Sequence, residues 1–278
     1  MKCFKTILEL KNFLQSQKEN TIGFVPTMGS LHKGHESLVL QSKKENKITI
    51  VSIYVNPTQF NDENDFMTYP RSLESDLEKL KKINCDVVFC PNTKEVYKKR
   101  QQNVVIKLGN LNQILEAKKR PGHFKGVIEI VSKLFEIISP DRAYFGEKDF
   151  QQLLIIKALA TQKFREITIV PCRTIRDSNG LAKSSRNKTL NQKELNMAGS
   201  VYQLLCEIKK KISDWGVVKS KKHVQNYFKK NPEIKLDYFE IIEQESFSFT
   251  RDLSNTNNYR AMIAVQIGET RLIDNLKL

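Results

Sequence analysis

The stretch "TIGFVPTMGSLHKGHESLVLQSKKENKITIVSIYVNP", residues 21–57, decides the fold. Its two ends are apolar and rich in β-branched residues, which predicts buried strands at 21–27 and 47–57. The segment between them, 34–46, has the apolar spacing of an amphipathic helix. A strand, a helix and a second strand in this order predict a crossover that joins two parallel strands of one sheet.

The same alternation continues as far as about residue 175. Further helices are predicted at 72–84, 126–140 and 149–163, and further strands at 85–91, 142–146 and 166–172. Repeated crossovers give a parallel sheet with helices on both faces, so we expect an α/β domain with a Rossmann-like, nucleotide-binding architecture. In such sheets the ligands collect beyond the carboxyl ends of the strands.

The pattern changes in the last third of the chain. A turn-rich segment is followed by predicted helices near 191–212 and 219–230, and by predicted antiparallel strands at 235–244, 259–268 and 270–276. These elements predict a smaller α+β domain, residues 176–278, that follows the α/β domain of residues 1–175.

The composition limits the possible partners and location. Lysine supplies 35 of the 46 basic residues behind the net charge of +15, and the lysines are scattered, which favours a solvated coat over a nucleic-acid surface. No apolar run approaches the roughly 20 residues that span a bilayer. The first 20 residues resemble an amphipathic helix more than a signal peptide, so we expect a cytoplasmic protein without a membrane partner. The five cysteines form no C-x-x-C pair, which favours buried reduced thiols.

The segment that joins the first strand to the first crossover helix carries two of the four histidines. Gly29 allows a tight turn after the strand, and the free N–H groups of the helix that follows form a natural anion site. His32 and His35 are three residues apart and so share one face of the first turn, where two imidazole donors can bind phosphoryl oxygens. The alternatives are two surface histidines at a helix cap or a zinc pair. Zinc is disfavoured because no third ligand lies nearby.

A second polar loop, "DSNGLAKSSRN" at 177–187, combines a turn with Lys183, two serine hydroxyls and Arg186. Hydroxyls, backbone amides and a guanidinium group suit a triphosphate. On its own the loop would favour a plain polar connection between domains.

Six motifs occur in unbroken order: "VPTMGSLHKGHESL", "VNPTQF", "YPRSLESDLEKL", "KRPGHFKGV", "YFGEKDFQQL" and "CRTIRDSNGLAKSSRN". Together they resemble the pantoate–β-alanine ligase family, a branch of the H-x-G-H nucleotidyltransferases, over about residues 20–190. The resemblance implies an ATP-dependent ligase that condenses (R)-pantoate with β-alanine through pantoyl adenylate, releasing AMP and pyrophosphate. It also implies Mg²⁺ on the phosphates, a homodimer, an N-terminal domain that binds ATP and pantoate, and a C-terminal lid.

The resemblance also implies roles for individual residues. Catalytic roles fall on His32, His35, Lys148 and Arg186, with His35 as the proton donor. The implied ATP contacts are Met28, Gly29, Ser30, Leu31, His32, Lys33, Gly34, His35, Gly146, Glu147, Lys148, Asp149, Ile175, Lys183, Ser184, Ser185 and Arg186. The expected contacts to pantoate and β-alanine are Asn56, Gln59, Arg120, His123 and Gln152.

Two positions carry further expectations. Asp76 could approach the metal or the subunit interface, although a solvated helix face fits equally well. Lys183 departs from the family pattern, because that family usually has an apolar residue immediately before S-S-R. We expect activity to survive this change.

The sequence leaves two other functions as alternatives. One is a related nucleotidyltransferase that transfers a nucleotidyl group and stops there, and AMP formation that depends on a second, amine substrate would separate it from a ligase. The other is a basic binding protein, which would show steeply salt-dependent binding to RNA or DNA.

Overall fold

The structure is a computed structural model that describes residues 1–97, 104–253 and 258–278. The chain divides into two compact units. The first unit comprises residues 1–147 and 151–173, and the second comprises residues 148–150 and 174–278. The short segment 148–150 therefore belongs to the second unit. The predicted domains, 1–175 and 176–278, placed this segment in the first domain.

The first unit is built on a six-stranded parallel sheet. Its strands are β1 (Lys2–Phe4), β2 (Ile22–Thr27), β3 (Ile48–Ile53), β4 (Val87–Phe89), β5 (Arg142–Gly146) and β6 (Thr168–Cys172). The spatial order is β1-β4-β3-β2-β5-β6, and every neighbouring pair is parallel. The predicted Rossmann-like parallel sheet is thus confirmed. The order reverses between β2 and β5, which is the kind of switch point where open α/β sheets bind ligands.

Helices surround this sheet. Up to residue 163 they are α1 (Ile7–Gln15), α2 (Lys33–Glu45), α3 (Glu63–Thr68), α4 (Leu73–Lys82), α5 (Thr93–Val96), α6 (Glu116–Lys119), α7 (His123–Ile138) and α8 (Phe150–Lys163). The most apolar of them, α7, packs Phe135 edge-on against Phe24 of β2, with ring centroids 6.3 Å apart. It ends at Ser139, which has a left-handed φ of 48°, directly before Pro140.

The second unit combines a long helical segment with an antiparallel sheet. The helical segment α9 (Gln192–Lys230) is interrupted at Gly216, whose φ of 61° and ψ of −177° are not helical. That break corresponds to the two helices predicted from the sequence. The strands are β7 (Ile234–Glu243), β8 (Ser248–Phe249), β9 (Tyr259–Ile267) and β10 (Thr270–Lys277), in the order β10-β9-β7-β8. The predicted antiparallel α+β character is confirmed.

No helix among the described residues is long and apolar enough to cross a membrane.

The cysteines provide a simple test of this packing. Burial raises the pKa of the Cys85 thiol to about 12, and the residue is 1% exposed, whereas Cys3 is exposed. At pH 8 only about one Cys85 thiol in ten thousand is ionised, and the thiolate is the reactive form. We expect iodoacetamide to label Cys3 and to spare Cys85 in the native protein, as read by peptide mass spectrometry. The urea-unfolded chain is the control and should be labelled at both; equal labelling of the native protein would contradict this packing.

Candidate active site

The turn that follows β2 reverses the chain through two left-handed residues. Gly29 has φ of 81° and Ser30 has φ of 50°. The hydroxyl of Thr27 donates to the Ser52 carbonyl (2.7 Å) and accepts from the Gly29 N–H (3.1 Å). A Cβ at Gly29 would lie 3.0 Å from an oxygen of Asp76, so the left-handed conformation favours glycine there and the tight space adds to that preference.

Asp76 lies beneath this turn and is completely buried. One of its carboxylate oxygens accepts the N–H of Ser30 and the other accepts the N–H of Leu31, each at 2.7 Å. Lys79, one turn further along α4, donates to the Leu31 carbonyl at 2.9 Å and lies 3.8 Å from Asp76 Oδ1. Both carboxylate oxygens thus accept backbone N–H groups of the turn. The solvated helix face that the sequence allowed for Asp76 is wrong, because the residue is buried, and its metal role stays a prediction.

His32 and His35 form a reciprocal cap at the start of α2. The Gly34 N–H donates to Nδ1 of His32 (3.1 Å), and the His32 N–H donates to Nδ1 of His35 (3.4 Å). The two rings stack with centroids 4.0 Å apart. Because a backbone N–H can only donate, each Nδ1 is an acceptor, and the proton of each neutral ring therefore lies on Nε2. The pair supplies two Nε2–H donors at a helix N-terminus.

The helix itself adds to this anion site. α2 runs for 13 residues from Lys33, so its dipole places partial positive charge at the same end as the two imidazoles. The Lys33 ammonium pairs with Glu36 at 2.7 Å, and the lysine side chain is 72% exposed. The Lys33 side chain therefore takes part in an ion pair at the surface. The backbone N–H groups of this first turn are a better candidate for contact with phosphate than the Lys33 ammonium.

Gln59 lies next to the turn. It ends a short 3-10 helix, Pro57–Gln59, that follows β3, and it is 8% exposed. Its side-chain amide donates to the thioether sulfur of Met28. The structure thus brings the predicted pantoate glutamine together with the predicted nucleotide-binding turn, at the carboxyl ends of the neighbouring strands β2 and β3.

The N-terminus of α7 fixes the loop that carries Gln59. His123 Nδ1 donates to the Gln59 carbonyl (2.7 Å), and Arg120 donates to the His123 Nε2 (3.1 Å). The Asn56 amide donates to the Gly126 carbonyl at 3.1 Å. Asn56 and His123 are both buried. The structure therefore shows these predicted substrate contacts as supports of the loop, with side chains that bond to protein groups.

Two adjacent glutamines at the start of α8 have different environments. Gln151 is 2% exposed and donates to the Leu111 and Ile114 carbonyls at 2.8 and 2.9 Å, while its oxygen accepts the N–H of Glu116 at 3.1 Å. Gln152, the predicted pantoate contact, is only half-buried. The structure thus separates a structural glutamine from the one that is available for a ligand.

In the second unit, the segment 148–150 is held by residues of the antiparallel sheet. The Asn275 side chain donates to the Lys148 carbonyl at 2.9 Å, and the Arg260 guanidinium lies 3.8 Å from the centroid of the Phe150 ring. The Lys148 ammonium is 3.4 Å from a carboxylate oxygen of Asp149. This segment presents a cation and a carboxylate next to each other. Their contacts to phosphate and ribose stay predictions.

The S-S-R loop, also in the second unit, folds back on itself. The Lys183 N–H donates to the Ile175 carbonyl at 2.9 Å, and the Lys183 ammonium pairs with Asp177. The Ser184 hydroxyl accepts the N–H of Arg186 (3.3 Å) and so caps the short 3-10 helix that follows. Lys183, the departure from the family pattern, is accommodated by an ion pair inside the loop.

The predicted site residues fall in both units. The first unit contains Met28, Gly29, Ser30, Leu31, His32, Lys33, Gly34, His35, Asn56, Gln59, Asp76, Arg120, His123, Gly146, Glu147 and Gln152. The second unit contains Lys148, Asp149, Ile175, Lys183, Ser184, Ser185 and Arg186.

Three residues that shape the site were missed in the sequence. Lys79 is three residues from Asp76, and this helical spacing was the signal that could have found it. Gly126 touches the Gln59 loop so closely that a Cβ there would lie 2.4 Å from the Thr58 carbonyl oxygen. The contacts of Gly126 and Thr27 could not be predicted from the sequence, because both depend on tertiary packing.

Sheet topology and turn together define an α/β protein of the nucleotide-binding type with an H-x-G-H helix start. A family profile described as pantoate–β-alanine ligase matches residues 2–277, and the chain belongs to that family. It is 43% identical over 280 residues to the pantothenate synthetase of Azobacteroides pseudotrichonymphae, covering 99% of each chain.

Solved structures agree with this assignment. The crystal structure of pantothenate synthetase from Thermus thermophilus matches with a TM-score of 0.92 and 35% identity, over 100% of this chain and 99% of that one. The pantoate–β-alanine ligase of Francisella tularensis, complexed with βγ-ATP and β-alanine, matches with a TM-score of 0.82 and 36% identity, over 100% and 97%. These similarities confirm the predicted family, the predicted fold class and the predicted carbon–nitrogen ligase activity.

Proposed function

We propose that the chain condenses (R)-pantoate with β-alanine in two steps, with ATP as a substrate and pantoyl adenylate as the intermediate. The observation that carries this proposal is the stacked pair of His32 and His35 at the N-terminus of α2, whose Nδ1 atoms accept backbone N–H groups, in the turn whose Met28 contacts the buried Gln59. The Francisella tularensis relative was crystallised with βγ-ATP and β-alanine, which supports both as substrates.

In the first step a carboxylate oxygen of pantoate attacks the α-phosphorus of ATP. The new O–P bond forms as the bond from the α-phosphorus to the bridging oxygen breaks, and pyrophosphate leaves with the electron pair. An ordinary carboxyl group, with a pKa of about 4, is already ionised at neutral pH, so no base is needed. The work of the site is to stabilise charge on phosphoryl oxygens, which the two Nε2–H donors and the helix N-terminus are suited to do.

In the second step the amine of β-alanine, having lost its ammonium proton, attacks the carbonyl carbon of the adenylate. The C–N bond forms, the C–O bond to the phosphate breaks, AMP leaves, and a second proton passes from nitrogen to solvent. Gln59 and Gln152 orient the hydroxyls and carboxylate of pantoate by neutral hydrogen bonds. Neutral amides suit this role because they leave the charge on the nucleophile.

The residues of the second unit have proposed roles toward the nucleotide. Lys148 and Arg186 supply cations for the phosphates, and the serines of the S-S-R loop supply hydroxyl donors. Asp149 hydrogen-bonds the ribose. Ile175 contacts adenine through its main chain, which depends little on the identity of its side chain.

Magnesium is proposed to arrive with the nucleotide. In residues 1–97, 104–253 and 258–278, no group of three or more His, Cys, Asp or Glu side chains is placed to hold a metal ion. The donor set is thus of the kind that leaves Mg²⁺ to substrate phosphates and water, as is common for this cation. The homodimer and the cytoplasmic location remain predictions that rest on the family resemblance and the composition.

Product analysis tests the proposed function. Purified protein is incubated with ATP, Mg²⁺, (R)-pantoate and β-alanine, and each component is omitted in turn while nucleotides and pantothenate are separated by chromatography. We expect AMP and pantothenate in equal amounts from the complete mixture alone. Sustained AMP release without β-alanine, or ADP as the nucleotide product, would overturn the proposal.

Lys183→Met tests the departure in the S-S-R loop. The substitution removes the side-chain ion pair with Asp177 but keeps the bond of the residue 183 N–H to the Ile175 carbonyl, so the backbone of the loop should stay in place. We expect the KM for ATP to change by less than about tenfold, which corresponds to less than about 1.4 kcal/mol. Initial rates at varied ATP measure this, and a larger fall in KM would show that the lysine disturbs nucleotide binding.

A further inference from the structure

The buried carboxylate of Asp76 needs an explanation, because removing a charge from water is costly unless it is fully paired. Its pairing is unusual for a helical residue. Asp76 accepts two successive backbone amides, those of Ser30 and Leu31, from a turn 45 and 46 residues earlier in the chain. Successive N–H groups in such a turn form a concave anion site. Here the protein fills that site with its own carboxylate.

The turn depends on this contact. Ser30 adopts a left-handed φ of 50°, a conformation that costs a residue other than glycine about 1 kcal/mol or more. Two charge-assisted hydrogen bonds of 2.7 Å from the amides at this position offset the cost. Asp76 therefore stabilises a conformation that the local sequence alone would not favour.

Lys79 controls the next peptide plane. Its ammonium donates to the Leu31 carbonyl at 2.9 Å. A trans peptide unit is planar, so fixing the Leu31 carbonyl also fixes the direction of the His32 N–H, which points the opposite way. That N–H is the donor to Nδ1 of His35. The clamp formed by Asp76 and Lys79 thus extends, through one peptide plane, to the ring of His35.

We propose that Asp76 and Lys79 are positioning residues for the two histidines. They hold the peptide planes at 30–32 so that the His32 N–H occupies Nδ1 of His35, which keeps the His35 proton on Nε2 and the ring in its stacked orientation. This inference rests on the proposed function for its effect on rate, and on the hydrogen-bond geometry alone for its effect on the rings.

Kinetics of Asp76→Asn give the first test. The amide cannot accept at both positions, so the turn shifts, and a shift of about 1 Å at a catalytic group costs about a hundredfold in rate. We expect kcat to fall about a hundredfold and the KM for ATP to rise by less than about tenfold, because the histidines act on the transition state while the turn backbone also contacts the bound phosphates in the proposed site. Lys79→Met, a change at a partly exposed side chain, should lower kcat about tenfold.

The matched control is Glu95→Gln. Glu95 is also a buried carboxylate that accepts a backbone N–H, from Ile7 at 2.9 Å, and it lies outside the proposed site. It should keep kcat within about threefold if the loss in Asp76→Asn is specific. In a His35→Ala background, Asp76→Asn should add less than about threefold, since residues that act as a unit are not additive.

¹⁵N NMR of the imidazoles measures the tautomer of each histidine ring. A merely structural role of Asp76 and Lys79 would leave the His35 tautomer unchanged. The chain has four histidines, so their ¹⁵N signals can be assigned by single substitutions. We expect the Nε2–H tautomer for His32 and His35 in the wild type, and a mixture of tautomers at His35 in Asp76→Asn and Lys79→Met.

The possible results distinguish failure of the positioning role from failure of the proposed function. Unchanged His35 tautomers in both variants, or losses in kcat that multiply fully with that of His35→Ala, would overturn the positioning role. If Asp76→Asn does not fold, Lys79→Met alone decides between these results. Failure of the wild-type protein to form AMP would contradict the proposed function. The tautomer measurement would then still test whether Asp76 and Lys79 position the His35 ring.

Discussion

Replacing His35 by alanine is expected to lower kcat for AMP release at least about a thousandfold. The substitution removes an Nε2–H donor from the N-terminus of α2 and also removes the acceptor of the His32 N–H. Loss of one preorganised donor to a transition-state oxygen costs roughly 10²–10³ in rate, and here the stacking partner of the second imidazole is lost as well. AMP formed from radiolabelled ATP at saturating substrates measures the effect.

The matched control for this experiment is His223→Ala. His223 lies in the second unit, 3.2 Å from Glu207, and has no proposed part in the reaction. The same change of side chain should leave kcat within about threefold there, and circular dichroism should show both variants folded. A His35→Ala protein that retains more than a tenth of the wild-type kcat would contradict the proposed role of the histidine pair.

Gly126→Ala is expected to impair pantoate binding with little effect on ATP. A Cβ at this position would lie 2.4 Å from the Thr58 carbonyl oxygen and 2.7 Å from the Gln59 Cα. These neighbours are backbone atoms, so either α7 or the loop must move by more than a side chain can absorb, at a cost of about 1–3 kcal/mol. We expect the KM for pantoate to rise about a hundredfold, because Gln59 is displaced from its place beside Met28.

The control for Gly126→Ala is a change on the same helix. Ser132 is buried on α7, where its hydroxyl donates to the Ile128 carbonyl of the preceding turn, and Ser132→Ala removes that bond without adding an atom. It should leave the KM for pantoate unchanged. An equal rise of the KM for ATP in Gly126→Ala would show a general loss of structure and would contradict the specific effect on the Gln59 loop.

The elements that position the site were predictable because each carries a strong local pattern. The strand predicted at 21–27 is β2 (Ile22–Thr27), and the helix predicted at 34–46 is α2 (Lys33–Glu45). The antiparallel strands of the second unit also lie close to their predicted bounds. Alternating or helical spacing of apolar residues is a property of the sequence itself, so these elements needed no tertiary information.

Short or tertiary features were not predictable in the same way. β1 (Lys2–Phe4) has three residues, too few for any periodicity, and it is stabilised by pairing with β4. The acceptor role of the His35 Nδ1 depends on the direction of one peptide plane, which no residue pattern encodes. The contact of Asp76 with the turn was missed because its partners, the amides of Ser30 and Leu31, are distant in the chain.

The path of a carboxylate oxygen tests the account most directly. Pantoate labelled with ¹⁸O at both carboxylate oxygens is converted with unlabelled ATP and β-alanine, and the AMP and pantothenate are examined by mass spectrometry. Attack on the α-phosphorus predicts one ¹⁸O in the phosphate of AMP and one in the new amide carbonyl. Label in inorganic phosphate, with ADP as the nucleotide product, or AMP without label, would contradict the adenylate mechanism.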